Sequence, residues 1–141
     1  GLFLMHKRGT PKDMQKKLNP RDNMVKEFDK FIEKRLKILD KMKFNLKKVW
    51  FDPGIGFGKT LNQNLQLMRS LSKYSHKNLQ ILLGSSRKSW INFIDPSNAD
   101  QRIGGSLASI THALQQNVNT FRIHDVQETN QMIKVLKALN K

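Results

Sequence analysis

Apolar residues recur along this chain in two rhythms. Short runs at residues 1–5, 48–52, 79–83 and 120–123 (Leu2-Phe3-Leu4-Met5, Val49-Trp50-Phe51, Ile81-Leu82-Leu83, Phe121 with Ile123) carry the continuous apolar character of strands buried on both faces. Between them, apolar positions fall three and four residues apart. Val25, Phe28, Ile32, Leu36 and Leu39 mark one face of a helix that Asp22 would cap and that reaches about residue 43. Leu65, Met68 and Leu71 mark a helix over about 62–74, and further helices are expected after Ser86, over about 104–116 and over 126–139. Pro11 and Pro20 punctuate the polar stretch after the first strand.

Strand then helix, four times over, with connections too long for hairpins, predicts a parallel sheet with crossover helices, an α/β fold of one domain over residues 1–141. The residues able to do chemistry gather just after each strand: His6-Lys7-Arg8, Asp52, Ser85 to Lys88, and His124-Asp125. In parallel folds that edge is where ligands bind. Four units are half of a (β/α)8 barrel, which takes about 250 residues. With a chain that opens inside an apolar strand, this predicts the C-terminal half of a larger barrel.

Composition narrows the function. Cysteine is absent, which excludes a disulfide framework and a thiolate metal site and accords with a reducing cytoplasm. No run is long enough to cross a bilayer, so no membrane partner is expected. Lys and Arg number 26 against 11 acidic residues, a net charge of +15. The lysines are spread along helical faces (Lys26, Lys30, Lys34, Lys37, Lys41) without interleaved aromatics, so a solvated surface is the expectation, not a nucleic-acid site.

The stretch FDPGIGFGKT resembles a phosphate loop and fails the test of spacing. A Walker A motif counted back from Gly58-Lys59-Thr60 needs glycine where Pro53 stands, and the dinucleotide fingerprint needs its third glycine at Lys59. What remains is Asp52 at a strand end before a glycine-rich turn. The carboxylate either pairs with ligand N–H groups or caps the turn, and Phe57 either stacks on a ligand or packs. Gly84-Ser85-Ser86-Arg87-Lys88 brings hydroxyls and cations to a helix start; it is an anion site or an ordinary cap. Arg122 and His124, two apart on a strand, share a face, and a buried arginine there needs an anionic or stacking partner. Gly104-Gly105-Ser106 is a further candidate anion site. With no H-E-x-x-H and no paired carboxylates, His6 and His124 are not expected to hold a metal. His76 and His112 read as surface or packing histidines, and no G-x-S-x-G elbow supports a serine nucleophile.

Taken together, LMH, FDPGIGFGKT, LLGSSRKSW, RIGGSLAS and FRIHDVQET resemble the dihydropteroate synthase family, in its order and along the whole chain. The resemblance implies a (β/α)8 barrel and a transferase of folate biosynthesis. That activity joins 6-hydroxymethyl-7,8-dihydropterin pyrophosphate to 4-aminobenzoate, giving 7,8-dihydropteroate and pyrophosphate. It implies that Asp52 pairs with the pterin amino and ring N–H groups and that Lys88 bonds the pterin edge. Met5 and Phe57 would line the apolar walls. Gly84, Ser86 and Arg87 would border the substrates, the last two at the aminobenzoate carboxylate. Arg122 would stack on the pterin and, with His124, hold the pyrophosphate. It also implies magnesium, whose protein ligand belongs to an N-terminal half missing here, so the chain alone is expected to be inactive. It is expected to associate with that half or to form a homodimer. A non-catalytic pterin-binding remnant is the alternative; S-R-K-S with R-I-H-D argues against a methyltetrahydrofolate-binding domain.

Overall fold

The computed structural model describes residues 1–10, 12–14 and 18–140; Pro11 lies outside them. Four parallel strands, β1 (Leu2–Met5), β2 (Val49–Asp52), β3 (Gln80–Leu83) and β4 (Thr120–Phe121), pair in the order β1-β2-β3-β4. Among the described residues six α-helices join or follow them: α1 (Met24–Lys41), α2 (Leu61–Arg69), α3 (Ser72–Ser75), α4 (Ser89–Asn92), α5 (Ile103–Gln115) and α6 (Val126–Leu139). This is the α/β arrangement of four strands with crossover helices that the apolar rhythm predicts.

Register aligns the strand ends that carry the chemistry. Met5 lies opposite Asp52, and the ladder extends one bond further, from His6 N–H to the Asp52 carbonyl at 2.9 Å. Leu83 lies opposite Phe121, and Arg122 N–H still donates to the Leu83 carbonyl at 3.0 Å. β4 is therefore shorter than its apolar run, and Ile123 has already left the sheet.

Alternation along the strands sorts side chains to two unlike faces. Val49, Phe51, Ile81 and Leu83 are buried, with Leu2, Leu4 and Phe121 beside them, against Met24, Phe28 and Ile32 of α1 and Leu67 and Met68 of α2. None of Phe3, Met5, Trp50 or Leu82, which alternate with them, belongs to that core. Phe3 is 57% exposed and rests on Trp50, with ring centroids 5.3 Å apart. The Trp50 indole N–H crosses to Thr120 Oγ1 on β4, at 3.2 Å.

Two helix ends differ from the sequence reading. Asn23, not Asp22, caps α1 by accepting Lys26 N–H at 3.0 Å. Asp22 is drawn away by Arg8 Nη2 at 2.5 Å. The helix expected over 62–74 is two, because the first ends at Arg69 and the chain turns before α3 to bury both Leu71 and Tyr74. Thr60 starts α2 with a reciprocal capping box to Gln63.

Candidate active site

The C-terminal ends of the strands converge on a pocket of about 270 Å³ lined by Phe57, Gly84, Ser86, Lys88, Arg122, Ile123 and His124. Six of these are sequence-predicted site residues. Asp52 borders it as the last residue of β2, only 3% exposed. Its Oδ1 accepts Gly54 N–H at 2.7 Å, and its Oδ2 faces Arg122 Nη2 at 3.4 Å. Burial raises the carboxyl's pKa, opposed by the Gly54 N–H and by Lys88, Arg122 and Lys59. A buried carboxylate with one oxygen held by backbone and the other loosely set against Arg122 is suited to a ligand's N–H groups.

The turn after Asp52 is built by glycine. Gly54 sits at φ +64, and a Cβ there would stand 1.9 Å from the His6 carbonyl oxygen, so no other residue lets the loop meet β1 this closely. The loop delivers Phe57, whose ring centroid lies 4.4 Å from Lys88 Nζ. That ammonium also donates to the Ile55 carbonyl at 2.5 Å, and burial brings its pKa down to about 8. Lys88 thus bridges the second and third strand ends.

Arg122 lies across Gly84. A Cβ on Gly84 would stand 2.8 Å from Nη2 and 3.0 Å from Nε, so the bare backbone leaves room for the guanidinium, which stays 59% exposed. His124 Nδ1 lies 3.1 Å from Ser86 Oγ, and that hydroxyl also faces the His124 N–H. A positive guanidinium, an imidazole and a hydroxyl sharing one rim form a place for an anion.

Two predicted residues stand apart from the pocket. Met5 is half-buried on β1, in register with Asp52. Arg87, at φ +56, turns its guanidinium into a fork with both oxygens of Asp125. Its N–H donates to Ser106 Oγ at 2.8 Å and its carbonyl accepts from Arg102 Nη1 at 2.9 Å. The fork holds the Asp125 carboxyl below the usual range. In Gly104-Gly105-Ser106, at the start of α5, a Cβ on Gly105 would meet Ile91 at 2.6 Å, and Ser106 Oγ accepts the Arg87 N–H. A larger, more apolar hollow of about 470 Å³, among Leu65, Met68, Trp90, Ile91 and Ala108, includes none of the strand-end groups.

The residue that sequence reasoning passed over is Lys59. Its ammonium is turned inward to three backbone carbonyls, and the residue is 3% exposed. Its presence in a failed phosphate-loop pattern gave no reason to expect a buried cation. Asp125 was noticed only as part of a strand end; its pairing with Arg87, 38 residues away, has no local signal.

Comparison with known proteins adds to this geometry. The chain matches the family of pterin binding enzymes over residues 1–124. It is 35% identical over 138 residues to dihydropteroate synthase of Escherichia coli (strain K12), covering 97% of this chain and 48% of that one. It is 36% identical to the bifunctional dihydropteroate synthase/dihydropteroate reductase of Helicobacter pylori, covering 99% and 36%. It superposes on Yersinia pestis dihydropteroate synthase in a sulfonamide drug complex with a TM-score of 0.89 at 33% identity, covering 98% and 50%. The Thermus thermophilus enzyme in complex with 6HMPPP gives 0.85 at 31%, covering 99% and 55%. The chain spans about half the length of the Escherichia coli and Haemophilus influenzae relatives.

Proposed function

The chain belongs to the pterin binding enzyme family, and on that footing we propose that it supplies the C-terminal half of a dihydropteroate synthase barrel. The observation that carries the reading is the convergence of Asp52, Lys88, Arg122 and His124 on one pocket at the strand ends. A carboxylate for N–H groups stands beside cations for an anion, which is the pairing a pterin pyrophosphate needs. The relatives' names support the same substrate class.

In this proposal the pterin's amino and ring N–H groups lie against Asp52 and its edge against Lys88, with Phe57 and Met5 as apolar walls. Arg122 and His124 hold the pyrophosphate. The bond between the pterin methylene carbon and the pyrophosphate oxygen breaks, and its electron pair leaves with the pyrophosphate. The 4-aminobenzoate nitrogen attacks that carbon and loses a proton, giving 7,8-dihydropteroate. Arg122 and His124 stabilise the departing charge while Asp52 stabilises the cationic pterin; the contribution is electrostatic and preorganised. With Arg87 forked to Asp125 and Ser86 Oγ set against His124, both side chains of this segment are engaged within the protein. Arg87 acts by holding the loop.

The donor set of the described residues does not by itself suit magnesium. Among the described residues no group of three His, Cys, Asp or Glu side chains comes together, and Asp52 and Asp125 are turned to arginines. A magnesium ion travelling with the pyrophosphate would take its protein ligand from the other half of the barrel. The setting proposed is cytoplasmic; no described helix is long and apolar enough to cross a membrane.

Calorimetry with two pterins tests the assignment, using the chain co-purified with a family N-terminal half. Arg122→Ala and His124→Ala should weaken the pyrophosphate-bearing pterin by about tenfold or more, and a pterin without phosphates far less. Equal weakening of both ligands would leave these residues as packing or stacking groups and remove the anion site from the account.

A further inference from the structure

Lys59 is the most completely enclosed cation near the pocket. Its Nζ donates to the Gly54 carbonyl at 2.8 Å, the Phe57 carbonyl at 3.0 Å and the His6 carbonyl at 3.1 Å. Three donors meet three acceptors, so the ammonium's hydrogen-bonding capacity is filled. The acceptors come from the end of β1 and from both ends of the glycine turn. The charges that act on it are Asp52, Lys88, Arg8 and Glu27, yet no carboxylate lies within ion-pair distance among the described residues. Enclosing a cation without a counter-ion is costly, and burial brings its pKa down to about 7. A methionine would fill the same space without that cost. What the ammonium adds is geometry: it fixes the turn whose Gly54 N–H holds Asp52 and whose Phe57 stands over Lys88.

We propose that Lys59 is a positioning residue, its ammonium binding three carbonyls so that the turn at residues 53–58 presents Asp52 and Phe57 to the pterin ring. This rests on the pterin reading above, and acts through Asp52 and the turn without touching the ligand. It makes a prediction that a role in charge attraction does not. Removing the ammonium should weaken pterins with and without pyrophosphate alike, because the ring's seat is lost and not the anion's.

The test uses the same co-purified barrel and calorimetry with both pterins. Lys59→Met, and Lys59→Gln as a second variant whose amide still reaches a carbonyl, should fold with native near-ultraviolet circular dichroism. Each should bind both pterins about tenfold more weakly or worse. In an Asp52→Asn background the further loss should nearly vanish, since both changes remove one seat. Lys59→Cys, alkylated with 2-bromoethylamine in denaturant and then refolded with the other half, restores an ammonium at lysine's length as the thiolate displaces bromide; with no other cysteine in the chain the reaction is selective. That protein should regain affinity. Unchanged affinity in folded Lys59→Met, full additivity with Asp52→Asn, no recovery after alkylation, or failure of both variants to fold would each overturn the positioning role. If the unsubstituted barrel binds no pterin, it is the functional reading that falls.

Discussion

At Asp52 a change of one atom tests the pterin seat. Asp52→Asn keeps an oxygen for the Gly54 N–H and replaces the other acceptor with a donor. Losing a charge-assisted bond costs about 1.5–3 kcal/mol, or roughly 10- to 100-fold in pterin affinity, with the fold intact. An unchanged dissociation constant in a folded variant would rule the role out. Gly84→Ala is the complementary change on the anion side. The nearest atoms to the added methyl belong to the movable end of Arg122, so stability should stay within about 1 kcal/mol while pyrophosphate-bearing pterin binds more weakly. A stability loss with full affinity would mean that Gly84 matters for packing alone. His6 titrates differently. It is 8% exposed, packed against Phe28 and Phe31, with Nδ1 unpartnered among the described residues. Burial first, then Lys59 and Arg8, lower its pKa from 6.5 to about 4. Below pH 6.5 the unfolded chain takes the proton first, so stability falls between pH 6.5 and about 4 and is level again below that. The shift amounts to roughly 3 kcal/mol at most. Denaturant unfolding of His6→Phe across that window should show the smaller loss; parallel curves would remove His6 from the pH response.

Among the elements, what the sequence revealed was what period reveals. All four strands and the amphipathic α1 were legible, because apolar spacing reports which face is buried. The cap of α1 was misread, as Asp22 and Asn23 are equal candidates until Arg8, 14 residues earlier, claims Asp22. The break between α2 and α3 was hidden because Leu71 and Tyr74 continue a helical spacing. At the site, Asp52, Lys88, Arg122 and His124 were legible as polar groups following strands, whereas the Arg87–Asp125 fork and the inward turn of Lys59 depend on residues distant in sequence. The glycine turn offers the sharpest test at this scale. Gly54→Ala places a methyl 1.9 Å from the His6 oxygen at a left-handed φ, and should cost at least about 3 kcal/mol in chemical denaturation. A cost below about 1 kcal/mol would show that the turn can relax, and that its close approach to β1 is not required.

The whole molecule is a sheet clothed on one side. Its core draws on Val49, Phe51, Ile81 and Leu83, while Phe3 and Trp50 meet as tilted rings on the opposite face. β1 and β4 end the sheet's order with unpaired edges. Parallel sheets are covered on both faces in stable proteins. The chain covers about half of the Escherichia coli and Yersinia pestis enzymes, and the remaining strands of such a barrel would close the edges and wall the pocket opposite Asp52 and Arg122. Pairing with such a half, or self-association of two copies, are the ways this surface can be buried, and the isolated chain should be oligomeric or marginally stable. The most direct measurement is formation of 7,8-dihydropteroate from the pterin pyrophosphate and 4-aminobenzoate, by the chain alone and by the chain co-expressed with a family N-terminal half. Product is expected only from the pair. A monomer in analytical ultracentrifugation that turns over both substrates unaided, or a stably assembled pair that makes no product, would contradict it.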